Sequence, residues 1–274
     1  MQQFITYIQR YQRRLYARRF FLFITTVLLL WFTRTLAQDT ISPAHRPLNT
    51  GFLKPGLRQY LVYYEVKGME KQLWMSLWNR DIRKTVIDNK QVFTTQQYWF
   101  NDDSTKFHES YSVNSVANFS PLYHQQRVGD DVKAYIWSAT SIKGDTAASN
   151  KAKDFSLTFD GPNYNWNLDL ETFEMLPLAA GKTFVIRFYD AGLEPPAYVT
   201  YRVIGTEMLQ TLDNRSVDCW KLYTEGSSKR GNYSQTFWIS RKNHECLKEE
   251  DTIGDRMHRY KVKLPALAPI LHKK

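Results

Sequence analysis

Cysteine is almost missing from these 274 residues: there are two, Cys219 and Cys246. No HExxH pair occurs, and the six histidines, His45, His108, His124, His244, His258 and His272, are not spaced for joint metal ligation on one helix face. A GxSxG elbow, a P-loop and a GxGxxG turn are missing too, which leaves serine hydrolase, NTP-binding and dinucleotide-binding chemistry without a foothold. There is no low-complexity run and no internal repeat of fixed period. The sequence marks no catalytic residue, no metal site and no cofactor, and it reads as a non-enzymatic protein.

The suggestive clusters that remain have plain structural readings. Asn101-Asp102-Asp103-Ser104 lacks the ligand alternation and closing Glu of a calcium loop and reads as a solvated turn. His244-Glu245-Cys246 has zinc-like chemistry, but neighbours on a strand face opposite ways, so it reads as a turn histidine beside a buried thiol. Asp169, Glu171 and Glu174 resemble a glycosidase carboxylate set and read instead as the polar face of a helix. The run 248–251 reads as a solvated strand edge, and Arg256, Arg259, Lys261 and Lys263 as a solvent-facing basic stripe.

The first 37 residues have the form of an export signal. Arg10, Arg13, Arg14, Arg18 and Arg19 precede an apolar run at 20–32, and Thr35-Leu36-Ala37 supplies the small residues of a cleavage site before Gln38. A bilayer span takes about 20 apolar residues; this run is shorter and contains Thr25 and Thr26, so it is expected to be cut rather than kept as an anchor. Localisation is therefore expected to be periplasmic or extracellular. The leader also carries six of the 37 basic residues and none of the 27 acidic ones, so the balance falls from +10 to +4 when it is removed. The basic character is largely a targeting signal, which sets nucleic acid aside as a partner and leaves membrane contact peripheral at most.

Residues 38–57 hold Pro43, Pro47 and Pro55 without periodicity and read as an extended linker. From 58 to 264 short runs alternate apolar and polar residues between turns rich in Gly, Asn and Asp, the pattern of antiparallel strands. The clearest are the meander runs at 199–264, broken at Gly205, Asp213-Asn214, 226–231, 241–243 and Gly254. Only at 163–178 does the period lengthen, giving one short helix capped by Asn167 or Asp169 and ended by Pro177. The expected fold is mainly β: a curved, half-barrel-like antiparallel sheet holding one short inserted helix, with a C-terminal tail at 265–274. An exported chain permits a Cys219–Cys246 disulfide, but one intervening strand would set the two about 9 to 10 Å apart. Both a bridge and two buried free thiols stay open.

Three segments in order carry a likeness: Leu176-Pro177-Leu178 with Gly181-Lys182-Thr183; Val203-Ile204-Gly205-Thr206-Glu207; and 217–222 with Phe237-Trp238-Ile239-Ser240 and Leu247-Lys248-Glu249. Together they resemble the exported bacterial family called domain of unknown function 3108. The resemblance implies a curved sheet with an inserted helix, similar to the periplasmic lipoprotein carriers that hold acyl chains in an apolar concavity. It brings no catalytic residues. On that basis a lipid or other amphiphile, or an envelope protein partner, is expected on the concave face. The expected lining is Leu168, Leu170, Phe173, Leu176, Tyr201, Val203, Trp220, Leu222, Phe237 and Ile239, residues that serve equally well as core. The alternatives are a structural or assembly module acting through a sheet edge and, further off, a carbohydrate-active hydrolase.

Overall fold

Alternation of apolar and polar side chains produces strands almost without interruption in the computed structural model, which describes residues 38–265 other than 104, 106, 194, 229 and 230. Residues 1–37, expected to be a leader, and most of the tail lie outside the described residues. The first half of the body contains β1 (Gln38–Ile41), β2 (Gly56–Val66), β3 (Trp74–Ile87), β4 (Lys90–Phe100), β5 (His108–Ser115) and β6 (Pro121–Val128). It continues with β7 (Asp131–Trp137), β8 (Ser141–Gly144), β9 (Ser156–Thr158) and β10 (Tyr164–Asn165). A 3-10 turn, Trp166–Leu168, leads into the helix α1 (Asp169–Glu174). The chain then forms β11 (Thr183–Tyr189), β12 (Ala197–Gln210), β13 (Ser216–Ser228), β14 (Gly231–Ser240), β15 (Cys246–Ile253) and β16 (Met257–Lys263).

All sixteen strands among the described residues belong to one open sheet in the order β1-β11-β12-β13-β14-β15-β16-β2-β3-β4-β5-β6-β7-β8-β9, with β10 paired to β11 off that path. Neighbours are antiparallel except at β11, which takes β1 and β10 in parallel. The sheet cannot be flat. Phe93 on β4 and Phe184 on β11 belong to the same buried cluster around α1, although eight strand spacings of about 4.8 Å would put them nearly 40 Å apart in a plane. The sheet therefore curls around the helix. A second cluster, including Tyr135, Trp137, Ile142, Phe159 and Tyr189, brings β7 and β8 against the end of β11. Side chains thus close what the hydrogen bonds leave open.

Two parts of the chain depart from the sequence-based expectation. Residues 38–57 are not a free linker: β1 pairs with β11 from Gln38↔Thr183 to Ile41↔Ile186, and Ile41, Leu48 and Leu53 are buried in the main core. Proline spacing hid this, because those prolines fall in the turns between the pinned points. Gly205 does not end a strand either. It sits at a β-bulge in a continuous β12, where the register with β13 shifts between Val203 and Gly205 and its φ of 150° suits glycine.

The cysteines are free thiols. Cys219 packs beside Leu209, Trp238 and Leu247 on the outside of the sheet, while Cys246 packs in the core around α1. With β14 between them and opposite faces to point to, no bridge forms.

Candidate functional site

The 163–178 stretch builds a plug that fills the concave face. Asn165 caps the 3-10 turn by accepting the Asn167 N–H at 3.0 Å, and Thr172 returns its hydroxyl to the Leu168 carbonyl at 2.8 Å. Leu170 and Phe173 then point into the core, Phe173 lying 4.7 Å from the ring of Tyr201 and 4.7 Å from that of Phe237.

The carboxylates of α1 are not a solvated face. Glu171 and Glu174 are both buried. Arg80 on β3 grips Glu171 with two nitrogens, Nε donating at 2.8 Å, and also donates to the Asn167 carbonyl at 3.0 Å. Arg58 on β2 pairs with Glu174, whose other oxygen accepts the Cys246 N–H at 2.9 Å. Burial alone would raise the Glu171 carboxyl, but Arg80 outweighs it and holds it below the ordinary range. Burial wins at Glu174, pushing it up to about 7 despite Arg58. The two arginines are clamps that set the helix on the sheet.

Alternate residues of the supposed solvated edge at 248–251 and of the supposed basic stripe turn inward as well, while Arg256 stays exposed. Because β15 and β16 are interior strands, Glu249 faces Lys261 and Asp251 faces Arg259 across the ladder. Lys261 and Arg259 both pair with Glu249, Arg259 reaches Asp251 as well, and Gln235 donates to Asp251 at 3.1 Å. Burial would raise Glu249, yet Lys261 and Arg259 pull it down to about 2. Asp251 is pushed up to about 7 by burial and by the charge of Glu249.

Above these paired charges lies a cleft of about 600 Å³ between β3, β4, β16 and the 3-10 turn, within the size range of small-molecule sites. Its walls are aromatic. Trp78 meets Trp99 edge-on at 5.3 Å, His108 stacks on Trp99 at 4.0 Å, and Trp166 stacks on Phe188 at 5.5 Å. Trp78 is held in place by donating to Ser76 at 2.8 Å, with Lys261 4.6 Å and Arg259 5.8 Å from its ring. Asn167, Gln235 and Asp169 supply polar groups, and Asp169 keeps a fifth of its side chain exposed. Burial raises its carboxyl above the usual range against the opposing pull of Lys261 and Arg80.

The residues expected to line a ligand cavity are brought together, but as packed core. Leu168, Leu170, Phe173, Leu176, Tyr201, Val203, Leu222, Phe237 and Ile239 are buried in one cluster, with Trp220 packed partly buried against it. None of the ten lines the cleft. Helix and aromatics occupy the concavity that an acyl chain would need. His244 takes a left-handed φ of 56° in its turn, stacks on Phe52 at 4.0 Å and contacts the Glu174 carbonyl at 3.2 Å, while Glu245 pairs with Lys263 at 2.7 Å. Among the described residues no group of three His, Cys, Asp or Glu side chains could hold a metal ion.

Sequence reasoning missed the cleft, though one signal was present. Trp74, Ser76, Trp78 and Arg80 share the strand face of the core residue Ile82. Tryptophan and arginine on an inward parity mark a polar-aromatic site rather than a dry one.

Fold and site define a class: an open antiparallel sheet wrapped around one short helix, with a tryptophan-walled cleft beside the plug. The chain belongs to the family described as protein of unknown function DUF3108, whose model matches residues 59–261. Among solved structures it is similar to the hypothetical lipoprotein YmcC from Escherichia coli, at 16% identity over 78% of this chain and 89% of that one, with a TM-score of 0.31. No curated protein matches the sequence.

Proposed function

We propose that this is a non-catalytic envelope protein, exported by its leader, whose cleft binds a neutral, hydroxyl-rich ring: a sugar unit of an envelope glycan or glycolipid. One observation carries the reading. Each cation at the cleft is already paired with a buried carboxylate behind it, Arg80 with Glu171 and both Arg259 and Lys261 with Glu249. What the cleft offers a ligand is therefore indole faces and hydrogen-bonding groups rather than an unpaired cation. The negative face of an indole attracts the weakly positive C–H face of a sugar ring, and Asn167, Gln235 and Asp169 can meet its hydroxyls.

We read the cleft as a binding site rather than a site of turnover. Glycoside hydrolysis needs two carboxyl groups facing across the scissile bond. The side chains of Glu249 and Asp251 are 1% and 2% exposed and tied to Arg259, which leaves Asp169 and Asp102 as the carboxylates on the cleft wall. A carrier of bare acyl chains is less well supported, since the apolar residues that would serve it are buried in mutual contact.

The test is titration of tryptophan fluorescence with a panel of neutral oligosaccharides and, in parallel, a long-chain fatty acid. Saturable quenching by a sugar is expected, with Trp99→Ala weakening it by about tenfold, the equivalent of one stacked ring. Saturation by the fatty acid and by none of the sugars would overturn the reading in favour of an acyl-chain carrier.

A further inference from the structure

The compact body of the protein starts at Gln38, the residue expected to follow the cut in the export signal. Two independent features meet at this boundary: the small residues Thr35 and Ala37 on one side and the first strand on the other. β1 begins at Gln38, paired with Thr183, and both Asp39 and Ile41 behind it are buried. The body is thus committed to the sheet from its first residue. Loss of a few residues there would take Ile41 out of the main core.

A cut before Gln38 exposes an α-amine on a residue whose own side chain ends in a carboxamide. The neighbouring carboxylate has no need of that amine. Asp39 already pairs with Arg46 and with Lys182, whose Nζ donates to it at 3.3 Å. An ammonium at position 38 would be a third cation beside one buried anion. The Gln38 side chain is exposed and makes no hydrogen bond among the described residues, so its carboxamide can turn back on the amine.

We propose that the mature protein carries a pyroglutamyl ring in place of Gln38. The uncharged amine attacks the side-chain Cδ, the new C–N bond closes a five-membered lactam, and the carboxamide nitrogen leaves as ammonia with the proton the amine gives up. Nothing is oxidised or reduced, and no co-reactant is consumed. An α-amine titrates near pH ~8, so part of it is nucleophilic at neutral pH. The product leaves no charge at the head of β1 and closes the strand to exopeptidases that need a free amine. The ring rests on the reading that the leader is cut before Gln38.

The experiment produces the full chain, leader included, in an exporting bacterium and measures the mature protein after incubation at neutral pH. The intact mass is expected to equal that of residues 38–274 less one ammonia. Amino-terminal sequencing should be blocked until a pyroglutamyl peptidase treats the unfolded chain, and should then read from Asp39. Gln38→Ser, which has no carboxamide, should keep its ammonia-free mass and sequence directly from position 38. A wild-type chain of full mass that reads from Gln38 without treatment overturns the ring and leaves the leader reading intact. Loss of ammonia that persists in Gln38→Ser lies elsewhere in the chain and also overturns it. A chain that starts at any other residue overturns the ring and the cut together.

Discussion

Glu249 and Asp251 are two residues apart on β15, share Arg259, and hold protons in opposite ways. Glu249, drawn down to about 2, contributes stability that is present above the ordinary carboxyl range and lost as pH falls toward 2. Asp251, raised to about 7, holds a proton in the fold that the unfolded chain releases near pH 4. Its contribution is therefore complete below about pH 4 and is lost as pH rises through 7. Asp251→Asn has no such proton, so between about pH 4 and 7 its unfolding free energy should rise relative to that of wild type, read by urea melts across that range. Glu249→Gln strands the buried Lys261, leaves Arg259 with Asp251 alone, and should cost about 3 kcal/mol or more at pH 7 in the same melts. Neither role was legible from 248–251 read as a charge run. Charge density there suggests an exposed edge; only the pairing of β16 with β2 makes β15 interior and turns alternate charges inward.

At the scale of elements, α1 is six residues long, too short to persist without tertiary contacts. Arg80–Glu171 and Arg58–Glu174 pin it in register. Glu171→Gln, which leaves the Arg80 guanidinium buried and half-partnered, should destabilise by about 3–5 kcal/mol, whereas the paired swap Arg80→Met with Glu171→Leu should recover most of that loss. Chemical denaturation of the three variants distinguishes a clamp from a solvated face, since the latter predicts almost no change in any of them. The helix itself was readable, because Leu168, Leu170, Phe173 and Leu176 break the period of two that surrounds them. Its depth was not. Amphipathic spacing predicts a polar side for every surface helix, and here that side is buried against two arginines on strands more than 85 residues earlier in the chain. The tie of 38–57 to β11 was hidden for the same reason: a parallel edge pairing leaves no local turn signal.

For the whole molecule, the strand alternation and turn residues made the mainly antiparallel sheet legible, down to the order of the meander from β12 to β16. The thiols follow from that architecture. Burial pushes Cys219 up to about 12 and raises Cys246 as well, so neither should react with an aromatic disulfide reagent until the protein is unfolded, when both should. Intact mass after air oxidation should show no loss of two hydrogens. The junction of β16 with β2 has a consequence of its own. It is the single hydrogen-bonded seam among the described residues between a block made of β2 to β9 and a block made of β11 to β15, and its seven residues form the last of the described strands in chain order. A chain emerging from a translocation pore or a ribosome must therefore keep two incomplete half-sheets, each with a bare edge, until its final strand arrives to zip them together. A protein truncated just before Met257 should collect as insoluble material rather than as a smaller folded domain.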